Sequence, residues 1–143
     1  MGIETATAQG IKTAFKVFTD TLDYDVYYRC AGIDDEPALE TEEKKYPHIV
    51  IRAAPNWPTH HKSTFRDVEV MLRWATHATD DPKEAILYAV YDGCRAVLDT
   101  DPETITVSDM NVVGIIIDPG GESDVEDHEQ YITLPLTVKL CGA

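Results

Sequence analysis

Between Ser63 and Asp99 the chain writes a long alternating strand and then, across Asp80-Asp81-Pro82, a single amphipathic helix, and the rest of the chain reads as cover for that unit. In FRDVEVMLRW, Val68, Val70, Leu72 and Trp74 fall on one face and Asp67, Glu69 and Arg73 on the other, the period of two that marks a half-buried strand. The strand is therefore expected to have one wet side. For the helix, Asp80 or Asp81 is expected as N-cap, Pro82 as first helical residue, and Asp81 with Glu84 as a capping box. Ile86, Leu87, Val90, Cys94, Val97 and Leu98 then share an apolar face, opposite Glu84, Tyr88, Asp92, Arg95 and Asp99, so the helix is expected to bury one side only.

The remaining elements follow from the same two periods. Ile3, Ala6, Ile11, Ala14, Phe15, Phe18 and Leu22 recur at helical steps and predict a first helix over Thr5 to Thr19, weakened by Gly10. A short edge strand is expected in DVYYRC and another strand from Tyr46 to Ala54, with Pro47 tolerable only at its start. MNVVGIIID predicts a strand with a bulge at Gly114. The closing strand alternates Ile132, Leu134, Leu136, Val138 and Leu140 against Tyr131, Thr133, Pro135, Thr137 and Lys139. Pro135 cannot donate to a ladder, so its position is expected at an edge or turned from its partner.

These elements sum to one domain over residues 1–143, with residues 33–45, 55–63 and 118–130 as loops. The fold class is α+β, with a mostly antiparallel sheet of about four to five strands and two helices packed on one face. Residues 33–45 hold six carboxylates and few large apolar side chains, a composition that predicts a mobile, solvated connection. Residues 118–129 carry six more, without Lys or Arg; like charges so dense predict another solvated loop.

Composition narrows the functional classes. Twelve basic and 26 acidic residues leave a net charge of −14, which disfavours nucleic-acid binding through phosphate neutralisation. An acidic wall past which DNA slides is compatible with it. Three scattered cysteines without a CxxC pair are expected as reduced thiols. The N-terminal stretch has no secretory pattern and no apolar run approaches the roughly 18 residues needed to cross a bilayer, so a soluble, membrane-free protein is expected.

The candidate sites are sparse. His60 and His61 invite a metal, but adjacent imidazoles point apart on extended backbone and no ligand spacing accompanies them. The acidic hairpin lacks the EF-hand arrangement, there is no GxSxG, and Cys94 sits on the apolar helix face. No catalytic, metal or cofactor residues are assigned. Trp57, Tyr46, Tyr27 and Tyr131 are the aromatics best suited to anchor a protein interface.

The succession YPHIVIRAA, FRDVEVMLRWATHATDDPKEAILYAVYDGCRAVLD, VVGIIID, an acidic break and EQYITLPLTVKL resembles the tail terminator (tail completion) proteins of long-tailed bacteriophages. The resemblance spans nearly the whole chain and rests on the order and spacing of elements. It implies a non-enzymatic virion protein without cofactor, made in the host cytoplasm and resident at the tail or neck. Its partners would be further copies of itself in a homo-hexameric ring, the tail tube protein, and head–tail connector or neck proteins, with DNA passing through the lumen unbound. Trp57, His60, His61, Tyr46 and Tyr131 would lie at the oligomer or tube interface. Two alternatives stay open: another neck component, such as a head completion or stopper protein, and a small acidic metal- or ligand-binding enzyme domain using the His60-His61 loop.

Overall fold

A computed structural model describes residues 3–31, 45–56, 65–100, 105–107, 110–118 and 121–142. Its elements are α1 (Ile3–Thr19), β1 (Tyr27–Ala31), β2 (His48–Asn56), β3 (Phe65–His77), α2 (Ala85–Thr100), β4 (Met110–Ile117), β5 (Glu122–Glu126) and β6 (Glu129–Gly142). The strands form one six-stranded sheet in the order β1-β2-β3-β6-β4, with β5 pairing β6. β1 runs parallel to β2 and every other pairing is antiparallel. This is the mostly antiparallel α+β architecture that the periodicities predict, with one strand more than expected.

The long strands β3 and β6 form the centre, in register from Phe65↔Cys141 to His77↔Glu129. Their alternate residues Val68, Val70, Leu72, Trp74, Ile132, Leu134, Leu136, Val138 and Leu140 are buried, together with Ile11 and Phe15 of α1 and Leu87, Val90, Cys94 and Leu98 of α2. Rings from both helices meet one indole: Phe15 stands 6.2 Å and Tyr91 4.9 Å from Trp74 between centroids. Burying side chains of this size stabilises the fold by about 1.5–3 kcal/mol each. Gly10, which weakens α1 by propensity, lies where a Cβ would strike the Thr106 carbonyl oxygen; close backbone approach is what it contributes.

α2 starts later than expected. Pro82 is not its first residue and Glu84 does not close a capping box. The helix opens at Ala85, and Glu84 instead takes a left-handed conformation (φ 58°). Asp81 remains the cap from a distance. Its buried carboxylate accepts the N–H groups of Ile86 (3.1 Å) and Leu87 (2.9 Å) and the Thr76 hydroxyl (3.1 Å). Gln130 completes the network, its amide donating to Thr76 Oγ1 (3.1 Å) and to the Asp81 carbonyl (2.8 Å). Because Thr76 and Gln130 are cross-strand partners on β3 and β6, satisfying these buried polar groups ties the helix start to the sheet, and that tie outweighs local capping preference.

The second departure concerns residues 118–130, expected as a loop. Residues 122–126 form β5, joined to β6 through Asp127 and His128 at φ 50° and 68°, positive at both positions as in a tight two-residue hairpin. β4 and β5 therefore share the same side of β6, one after the other, and the break between them falls opposite Pro135. Asp118 donates its N–H to the Pro135 carbonyl (3.0 Å), so the proline's missing N–H faces the break. Pro135 accordingly lies in an interior strand, turned away from β3, at a place where no ladder bond is required. The bulge expected at Gly114 is present as a register shift between Val112 and Gly114, and among the described residues β1 ends the sheet as an edge strand. No described helix is long and apolar enough to cross a membrane.

Candidate functional site

Apart from Ala75, which is buried, the residues between the core positions of β3 and β6 are exposed or half-buried, and we call their side the open face. One end of it carries a connected polar and aromatic cluster. Glu129, the first residue of β6, is 8 % exposed, yet both carboxylate oxygens are occupied. The Tyr46 hydroxyl donates to Oε2 at 2.6 Å and Arg73 Nη2 to Oε1 at 2.7 Å. The guanidinium also lies 4.2 Å from the centroid of the Tyr131 ring, in reach of a cation–π attraction. Tyr46 extends the cluster to His48 (4.9 Å) and His77 (5.5 Å), and His77 stands 6.2 Å from His128. Tyr46, Arg73, His77, Glu126, Asp127 and Glu129 line a depression of about 290 Å³.

Each member is placed by the strand that carries it. Arg73 and Ala75 alternate with the core residues of β3, while Ala75 pairs with Tyr131 and Arg73 with Thr133, so Arg73 and Tyr131 are diagonal neighbours on one face. The β5–β6 turn brings Glu129 to the end of the same face. Burial pushes the Tyr46 phenol above its ordinary value, and the hydrogen bond to Glu129 and that carboxylate's charge push it further; the hydroxyl is held protonated, as a donor.

Of the residues expected at an interface, Tyr46 and Tyr131 meet in this cluster through Glu129 and Arg73. Trp57, His60 and His61 lie outside the described residues. Tyr27 is on β1, with Lys45 Nζ 5.3 Å from its ring centroid. Sequence reasoning missed Arg73 and Glu129: the first reads only as the polar side of a strand, and the second as one carboxylate in an acidic run. Among the described residues no group of three or more His, Cys, Asp or Glu is placed to hold a metal ion. What this arrangement offers chemically is an aromatic platform around the Arg73–Glu129 ion pair, the kind of surface in which tyrosine and arginine act as binding anchors.

The open face continues into a second depression of about 300 Å³, bordered by Arg52, Glu69, Met71, Asp118, Pro135 and Thr137. Met71 and Ile116 are exposed beside it.

No protein-family model and no curated protein matches this sequence. Among solved structures the chain is similar to one from the virion of a native gene transfer agent particle, with a TM-score of 0.68 and 13 % identity over 99 % of this chain and 100 % of that one. A second solved structure aligns with a TM-score of 0.54 and 10 % identity over 94 % of each chain. At these identities the likeness is one of fold.

Proposed function

We propose that the protein is a structural component of a virion, and more specifically a tail terminator: a ring that caps the completed tail tube, stops its polymerisation and offers the surface to which the head is joined. The observation that carries this reading is the end-to-end fold likeness to a chain of a virion particle, which agrees with the independent resemblance of element order to the terminator family. Ring closure needs a heterologous interface repeated about an axis, and the Tyr46–Glu129–Arg73–Tyr131 platform is a preformed surface for such a contact or for the tube. A net charge of −14 suits a lumen through which DNA passes without sticking.

The test is the molar mass of the purified protein by light scattering over a concentration series, with negative-stain imaging and co-sedimentation with tail tubes. Closed rings of about six subunits are expected, bound at tube ends. Protein that stays off tube ends, with or without ring formation, overturns the terminator role. Binding to the head connector alone would instead mark a different neck component.

A further inference from the structure

The cross-strand registers order the open face into rows. Arg29, Val50, Arg73, Thr133 and Glu122 lie in one row from β1 to β5, and Tyr27, His48, Ala75, Tyr131 and Asp124 in the next. The two ends of these rows differ in charge. Residues 27–31 and 45–56 contain Arg29, Lys45 and Arg52 and no carboxylate, whereas residues 110–130 contain Asp118, Glu122, Asp124, Glu126, Asp127 and Glu129 and no lysine or arginine. Glu129 is neutralised by Arg73. No ion pair among the described residues engages Glu122, Asp124, Glu126, Asp127 or Arg52.

The same two ends are the sheet's edges. Among the described residues no strand pairs with the outer side of β1 or of β5, and every β5 side chain is exposed. An uncovered edge presents main-chain donors and acceptors ready to pair with another chain. Placed about four strand spacings of ~4.8 Å apart, the edges point in opposite directions and cannot meet within one molecule.

We propose that the occupant of each edge is a second copy of this chain: the acidic β5 edge of one subunit docks against the β1–β2 edge of the next, setting Glu122 and Asp124 against Arg29, Lys45 and Arg52. The contact is heterologous, because two different surfaces meet, and a repeated heterologous contact either closes a ring or extends a filament. Local pairing of opposite charges also fixes direction. Two acidic β5 edges brought together repel, so head-to-head assembly through them is selected against. This inference rests on the ring reading for its biological setting and adds to it which surfaces join.

Two variants test it, each altering exposed side chains only: Glu122→Lys with Asp124→Lys, whose edges are both basic, and Lys45→Glu with Arg52→Glu, whose edges are both acidic. Analytical ultracentrifugation at low ionic strength is expected to show each variant self-associating roughly tenfold or more weakly than the wild-type chain. An equimolar mixture is expected to recover association, since each variant then finds its complement. Variants that associate like wild type, or a mixture that stays dissociated, overturn the edge pairing. If such variants still form rings that cap tubes, the terminator reading stands and only the edge assignment falls. If the wild-type chain is monomeric at every concentration and the mixture likewise, the pairing is again overturned, while co-sedimentation with tail tubes decides the terminator reading separately.

Discussion

Between Asp67 and His77 a single strand, β3, serves two environments that differ in everything but backbone. Val68, Val70, Leu72 and Trp74 are buried to 2 % exposure or less, while Met71, one residue from two of them, is 44 % exposed. On the buried side, dispersion and water exclusion reward any side chain of suitable shape. On the open side the same spacing carries Glu69, Arg73 and His77, and order there comes from specific pairs such as Arg73–Glu129. The buried face therefore holds most of the stability, and side chains on the open face are held by a few specific pairs.

Substitutions on adjacent residues should separate the two roles, beginning with the largest effect. Trp74→Ala removes an indole packed between Phe15 and Tyr91 and is expected to cost about 3–5 kcal/mol in chemical denaturation. Met71→Ala on the same strand is expected to cost below about 0.5 kcal/mol. A similar loss for both would show that the open face is covered after all.

Asp81→Ala comes next. It deletes the acceptor for Ile86, Leu87 and Thr76, and a lost cap combined with buried donors left unpaired is expected to cost about 2–3 kcal/mol. Amide hydrogen exchange should then accelerate first at the start of α2. Arg73→Ala leaves the buried Glu129 carboxylate without this cationic partner; a cost of about 1–2 kcal/mol is expected, reduced because the guanidinium is half-exposed. In a double-mutant cycle with Glu129→Gln much of that cost should disappear.

The smallest effect is a pH dependence. Burial raises Tyr46, Tyr28 and the Cys94 thiol, the last from 9.0 to about 12. For each, the folded state holds its proton more tightly than the unfolded chain does. The stability they contribute is complete below the unfolded values, near 9.0 for the thiol and 10.0 for the phenols, and declines as pH rises through and above them. Denaturation midpoints from pH 8 upward should fall accordingly, and Tyr46→Phe should flatten the decline while leaving the core intact. In the folded protein at neutral pH, a thiol-reactive dye should label Cys141 well before Cys30 or Cys94, both of which are buried.

Elements defined by repetition were legible in the chain. The alternation in β3 and β6, the apolar stripes of the two helices, the edge position of β1 and the bulge at Gly114 each follow from a local pattern that survives folding unchanged. Features depending on a distant partner were not. β5 is hidden because Glu122, Asp124 and Glu126 compose like a solvated loop, and only the Asp127-His128 turn and the waiting edge of β6 make a strand of it. The start of α2 is displaced because Asp81 answers to Thr76 and Gln130 as well as to the helix. Tyr46 and Tyr131 were recognisable as aromatic anchors by type, but their link through Glu129 and Arg73 joins residues 83 and 56 positions apart in sequence.

What the sequence alone determines here is which residues must leave water, since apolar periodicity of two or 3.6 dictates strand or helix and selects the buried face wherever the chain goes. Only the tertiary structure decides which polar residues meet, because hydrogen bonds and ion pairs depend on register and on ångström-scale approach between strands. Register is a property of pairs, written in neither strand by itself. The platform around Glu129 and the opposed charges of the two sheet edges both arise at that level.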